Sequence, residues 1–200
     1  MWVLRGWRGA EMRNLLLYRF ILANTLFAAL AAALAWSGQL LLVFETDLSR
    51  ITLAIAALFL VGWGWTLKQV IAVSGSLNRA KQLGYRPASP AEGDKAMLKV
   101  AWLDELSEWL VALGLLGTVI GFAMALAGVD QTSVTQASGA QDAVAALMAG
   151  MRVALNTTLV GAALAIWHQV NLRMLKTAMG CYWIDRIRAN GGNISARGEE

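Results

Sequence analysis

Four apolar runs, each long enough to cross a bilayer, are separated by polar stretches of unequal length. The first, Leu15–Trp36, is rich in alanine and interrupted only by Arg19, Asn24 and Thr25. It exceeds the ~7–15 apolar residues of a signal-peptide core, so it reads as a span. The second covers residues 51–73, with Lys68 and Gln69 near its end positioned to snorkel to water. A GWGW sequence at 62–65 reads as packing and interface anchoring, with a ligand site as the alternative. The third span covers roughly 110–129 and the fourth roughly 149–169.

The polar stretches complete the division. Residues 1–14 form a cytoplasmic or interfacial N-terminus, and 15–73 a first two-span hairpin. Residues 74–108 form a cytoplasmic loop and juxtamembrane helix. Within it, 74–99 is the one obvious loop and holds both prolines. Ser-Pro-Ala-Glu at 89–92 reads as a helix start, from which a helix runs into the third span. Residues 109–170 form a second hairpin whose 130–147 link is polar, helical towards its end. The tail, 171–200, starts as an amphipathic helix and is expected to lose order in GGNISARGEE. The fold class is therefore all-α, a polytopic membrane protein with four transmembrane helices.

The second hairpin carries a pattern that the first lacks. In the third span, Gly114, Gly117, Thr118, Gly121, Ala125 and Gly128 recur at helical spacing. In the fourth, Gly150, Ala154, Thr157, Thr158, Gly161 and Ala165 do the same. Such spacing collects small and hydroxyl residues on one side of each helix. In lipid, small residues mark close backbone approach, and threonines there bond across the contact. The two helices are expected to pack on each other or on a partner, with the three threonines at the seam.

Composition agrees with a membrane protein: 58% hydrophobic, against ~45–50% for soluble domains, and a mean hydropathy of +0.53. Nine tryptophans suit an interfacial belt. One cysteine, Cys181, leaves no intrachain disulfide. With one histidine, His168, besides, a zinc site within one chain is not expected. The net charge of +4 reads as topology rather than nucleic-acid binding, because all 17 Lys and Arg residues except Arg50 and Arg152 fall on one side of a four-span arrangement. By the positive-inside pattern, both termini are cytoplasmic.

Chemistry is sparse. No span holds Asp or Glu in its central part, although proton and ion pathways use such residues. The polar candidates are Thr118, Asn156, Thr157 and Thr158, which hold water or an ion but exchange no proton near neutral pH. A carboxylate for proton transfer would come from another chain. The competing reading is that the threonines only bond their own helix carbonyls. Arg152, one turn into the fourth span, either snorkels outward, pairs with Asp142 or Asp130, or guards an ion entrance. His168 reads as interfacial, with a proton relay as the alternative. Asp104, Glu105 and Glu108 form a solvated juxtamembrane turn or a docking surface. No nucleophile–base pair, carboxylate pair or phosphate-binding loop is present, so covalent catalysis is not expected.

The segments LGLLGTVIG at 113–121 and GMRVALNTTLVG at 150–161, continuing through 162–166, resemble the MotA/TolQ/ExbB proton-channel family. Four spans and the ALxTTLxG wording are closest to its MotA branch. Val153 stands where ExbB-like members carry glutamate, and the loop is shorter than the cytoplasmic domain of flagellar stators. The resemblance implies a homo-oligomeric ring, a pentamer, in the bacterial inner membrane around single-span helices of a MotB/TolR/ExbD-like partner that supplies a membrane Asp. It makes Thr118 and Thr158 pore-lining and Thr157 a neighbouring hydroxyl. Gly114, Gly117, Gly121, Gly150, Ala154 and Gly161 become packing or partner-facing positions. No cofactor is implied; the translocated ion is H+, with Na+ as the alternative. The expected function is the ion-channel subunit of an energy-coupling motor. The competing reading is a non-conducting scaffold of an envelope, secretion or motility complex.

Overall fold

A computed structural model describes residues 15–38, 50–84, 88–127 and 137–197, with side chains for all of these but 81, 137, 138 and 190–197. Four helices make up the fold: α1 (Leu15–Trp36), α2 (Ile51–Leu83), α3 (Pro90–Ala127) and α4 (Ala137–Arg197). Each is long and apolar enough to cross a membrane, and no strand occurs among the described residues. The molecule is an all-α polytopic membrane protein.

Length decides what lies outside the bilayer. At 1.5 Å per residue the 61 residues of α4 span about 90 Å, roughly three times a ~30 Å hydrocarbon core. The 38 residues of α3 span about 57 Å. The two run antiparallel, and their dominant contact continues well past the apolar runs. Buried positions on α3 recur at three and four: Val100, Leu103, Ser107, Leu110, Gly114, Gly117, Gly121 and Ala125. On α4 the matching row runs from Gly150 through Ala154, Thr157, Gly161, Ala165, His168, Leu172 and Leu175 to Met179. A single coiled-coil-like register thus joins membrane and extramembrane halves.

Two apolar clusters fill the bundle. One gathers Leu16 and Phe20 of α1 with Val70, Val100, Leu103, Leu172, Leu175 and Met179. The other gathers Ile55, Phe59, Leu106, Leu110 and Ala165. Between them lies a polar layer. Asn24 Oδ1 accepts from the indole N–H groups of Trp63 at 2.7 Å and Trp167 at 2.9 Å. Asn24 Nδ2 donates to Phe20 O and to Asn171 Oδ1, each at 2.8 Å. One asparagine therefore ties α1 to α2 and α4. Past it, α1 is largely uncovered, with Leu22 and Leu26 73% and 70% exposed.

Three expectations need correction. Residues 74–99 are mostly not loop: α2 continues to Leu83, while α3 begins at Pro90, within the Ser-Pro-Ala-Glu read as a helix start. The helix persists because one face still packs, with Ser74 and Ala80 buried, while Ser76 Oγ bonds back to Ala72 O at 3.0 Å. It stops at Gly84, whose φ of 84° suits a residue without Cβ. The tail also stays helical through 191–197, where GGNISAR was expected to lose order. Finally, His168 does not face outward from the bundle as an interfacial side chain would. It is fully buried, because the small-residue row on α4 carries on through it. The expectations for 1–14 and for Asp130 lie outside the described residues.

Outside the apolar runs the bundle is closed by charge and rings. Lys176 pairs with Asp104 across α3 and α4. Arg186 reaches Glu92 at 3.5 Å while lying 4.6 Å over the Trp183 ring.

Candidate ion-pathway site

The α3–α4 seam is built from backbone brought close by glycine. A Cβ on Gly121 would sit 2.7 Å from Ala154 N and 2.8 Å from Gly150 O. One on Gly161 would sit 2.7 Å from Leu110 O and 3.0 Å from Gly114 Cα. At Gly114 the nearest atoms are Thr157 O at 3.2 Å and Thr158 Cα at 3.3 Å. Gly117 faces the Thr157 side chain, and Gly150 faces Ala125. The sequence positions Gly114, Gly117, Gly121, Gly150, Ala154 and Gly161 therefore meet one another inside a single chain. They are occupied by the chain's own hairpin and leave no stripe for a second protein.

The hydroxyls divide by exposure. Thr157 is fully buried and its Oγ1 donates to Val153 O at 3.1 Å or Ala154 O at 3.0 Å. Thr158 is partly exposed; its Oγ1 donates across the seam to Gly114 O at 3.1 Å and within its helix to Ala154 O at 3.3 Å. Thr118 is partly exposed and bonds Leu115 O within its own helix. Both behaviours considered for these threonines occur: Thr118 and Thr157 bond their own helices, and Thr158 also crosses.

Helix geometry puts Thr118 and Thr158 on one flank. Each follows by one residue a seam-centred position, Gly117 and Thr157, which contact each other. One residue turns the helix by about 100°. In an antiparallel pair that step swings both side chains to the same side of the contact. Gly114, Thr118's neighbour one turn back, receives the Thr158 hydroxyl, so the two hydroxyls sit about one helical turn apart along one groove edge. Around them the flank is apolar and exposed: Val111, Leu115, Phe122, Met151 and Leu155. No Asp or Glu occurs between Glu108 and Asp130 or from 143 to 184.

Asn156 does not join this flank. Two residues from Thr158, it is turned by about 200° and is half-buried elsewhere. Arg152 is exposed, turned from the seam, and forms no ion pair among the described residues. Asp142 is likewise exposed.

One buried group was not anticipated from sequence. His168 Nδ1 lies 2.8 Å from Ser107 Oγ, across α4 and α3. Its Nε2 faces Gly62 of α2, where a Cβ would approach to 3.1 Å. The glycines of GWGW thus differ: Gly62 admits the imidazole, and Gly64 has nothing within 4 Å. The usable signal was the three-and-four spacing of Gly161, Ala165 and His168.

Residues 88–181 match the model of the MotA/TolQ/ExbB proton channel family. No curated protein and no solved structure matches the chain. The matched segment begins two residues before α3 and ends at Cys181, so it is the hairpin just described. Through that hairpin the chain matches the MotA/TolQ/ExbB proton channel family, which supports a role of the membrane proton-channel type.

Proposed function

We propose that the chain is the ion-conducting subunit of an inner-membrane energy-coupling motor. Several copies, five in the arrangement the resemblance implies, would ring the single-span helices of a partner that brings a membrane aspartate. Ion flow past that aspartate would drive relative motion and do work at a distance. Both termini would be cytoplasmic, which the distribution of Lys and Arg supports.

The observation that carries this reading is the flank holding Thr118 and Thr158. Two partly exposed hydroxyls sit on an otherwise apolar face whose helices own no carboxylate. A hydroxyl lends a lone pair to water or a cation but cannot take up a proton near neutral pH. Such a face assists an acid supplied by another chain. It also assigns the parts of the hairpin: the glycine seam makes it rigid, and its flank meets the partner helix.

The test is Thr158→Val with Thr118→Val, in cells carrying the chain and its partner. Both changes keep shape and remove the hydroxyl. The expected result is an intact complex of unchanged stoichiometry with at least tenfold lower ion flux, read with a pH-sensitive dye in reconstituted vesicles. Unchanged flux with intact assembly would favour the scaffold reading. A wild-type dimer or tetramer in place of a larger ring would reject the motor.

A further inference from the structure

A cavity of about 540 Å³ opens between the start of α1 and the later turns of α2 and α4, with no residue of α3 in its lining. Its walls are mostly apolar, including Leu16, Leu77, Val170 and Met174, with Ser74, Asn78 and Thr177 as the uncharged polar members. Arg19 and Arg173 also line it, and no Asp or Glu does. Both arginines are exposed, and neither guanidinium has a partner among the described residues.

Position along the helices sets the depth. Arg19 is the fifth residue of α1, and Arg173 lies four residues beyond the predicted end of the fourth span. The cavity therefore straddles the bilayer boundary at the basic end of the molecule. On the bilayer side, α1 leaves Leu22 and Leu26 uncovered. The volume suits a small-molecule-sized group.

We propose that this cavity binds one anionic phospholipid, with Arg19 and Arg173 holding its phosphate. A guanidinium presents a planar fork of donors that matches phosphate. Two of them, with no ion-pair partner and no carboxylate beside them among the described residues, leave a positive site that an anion neutralises. The apolar walls select an anion with an apolar body, because a free phosphate would leave Leu16, Leu77 and Met174 facing water. Basic pockets between membrane helices are suited to anionic headgroups. Assigning the lipid to the cytoplasmic leaflet rests on the charge-based orientation; binding itself does not.

The experiment uses the full chain in detergent, titrated with dioleoyl phosphatidylglycerol, dioleoyl phosphatidylcholine or inorganic phosphate. Native mass spectra read lipid retention and a thermal melt reads protection. One phosphatidylglycerol per chain is expected to be retained in preference to phosphatidylcholine, and inorganic phosphate is expected to protect little. A basic residue near a membrane surface contributes about 1 kcal/mol, so Arg19→Gln with Arg173→Gln should weaken retention by about 25-fold. Arg79→Gln with Arg188→Gln removes the same charge elsewhere at that end and should leave retention within about twofold. Val170→Trp fills the cavity, keeps both arginines and should also abolish retention, which settles the matter if the arginine pair fails to fold. Equal retention by the Arg19/Arg173 pair and wild type would overturn the proposal. So would equal weakening by the control pair, equal retention of phosphatidylcholine, or full protection by inorganic phosphate alone. None of these outcomes bears on ion flux, so this proposal and the motor reading fail separately.

Discussion

Three Gly→Ala substitutions in this chain should give three different results, and the difference follows from what each methyl meets. At Gly121 it meets backbone: Ala154 N at 2.7 Å and Gly150 O at 2.8 Å, against the 3.4 Å at which ordinary contact begins. The shortfall of 0.7 Å cannot be absorbed by a rotamer, since the opposing atoms belong to the helix itself. The helices must separate. Overpacking costs about 1–3 kcal/mol, and a backbone obstacle belongs at the upper end. Alanine returns roughly 1 kcal/mol of helix propensity. The net loss is about 2 kcal/mol, or roughly 4–8 °C in melting temperature at this chain length. At Gly64 nothing lies within 4 Å, so only the propensity gain remains and stability should rise by up to about 1 kcal/mol.

Gly117 is the informative case, because its obstacle is a side chain. The methyl would collide with Oγ1, Cβ and Cγ2 of Thr157. Thr157→Gly removes all three atoms. Gly117→Ala alone should destabilise by about 1 kcal/mol after the same propensity gain, whereas in a Thr157→Gly background only that gain remains, a coupling of about 2 kcal/mol. No second substitution of that kind rescues Gly121→Ala, because Ala154 N and Gly150 O remain whatever the side chains. The assay is thermal unfolding of purified chain in one detergent, followed by loss of helical signal and of monodispersity. If Gly121→Ala melts with or above Gly64→Ala, or if Gly117→Ala and Thr157→Gly are additive, the seam is not packed as described.

Asn24→Leu should cost about 2–4 kcal/mol, because it strands the Trp63 and Trp167 indole donors in a low-dielectric layer; tryptophan emission and the melting curve should change together. Cys181, the sole cysteine and exposed, offers a topology test in the native chain: a membrane-impermeant maleimide should label it in inside-out vesicles and not in intact spheroplasts. Arg50→Cys in a Cys181→Ser background should show the opposite pattern, and labelling of both from one face would refute the four-span topology.

The glycine seam was legible because both helices print the same spacing of small residues within apolar runs, and Gly114, Gly117 and Gly121 do meet Gly150, Ala154, Thr157 and Gly161 at close approach. The division of the threonines was not legible. Thr157 and Thr158 differ by one residue in a helix, yet one is sealed and the other opens on the flank. That outcome depends on the angle at which α3 meets α4, which periodicity alone does not fix. The polar layer was hidden for another reason. Asn24 and Asn171 are 147 positions apart, and Ser107 and His168 are 61 apart. Periodicity says which face of a helix turns inward, not which residue waits there. Helix ends were misjudged where composition suggested loop, because packing of Ser74 and Ala80 outweighed local preference.

The register of α3 on α4 also explains why one hairpin serves two solvents. Within the apolar runs its buried positions are mostly Gly, Ala and Thr, with Val153 the large exception; from Leu110 outward they become Leu103, Val100, Leu172, Leu175 and Met179. In lipid, burying a large apolar side chain between helices gains little over leaving it among acyl chains, so close backbone contact and hydrogen bonds must hold the pair. In water the balance reverses, and each buried Leu is worth about 1.5–3 kcal/mol. The size change along an unbroken three-and-four row therefore marks where the bilayer ends. It falls near Leu110 on α3 and between Ala165 and Leu172 on α4, beside Ser107 and His168. Those two residues stand at the changeover, where neither lipid packing nor hydrophobic burial is at full strength and a hydrogen bond fixes the register instead. A rigid transition at that level would couple any tilt of the membrane half of α4 to the extramembrane half of the same 61-residue helix.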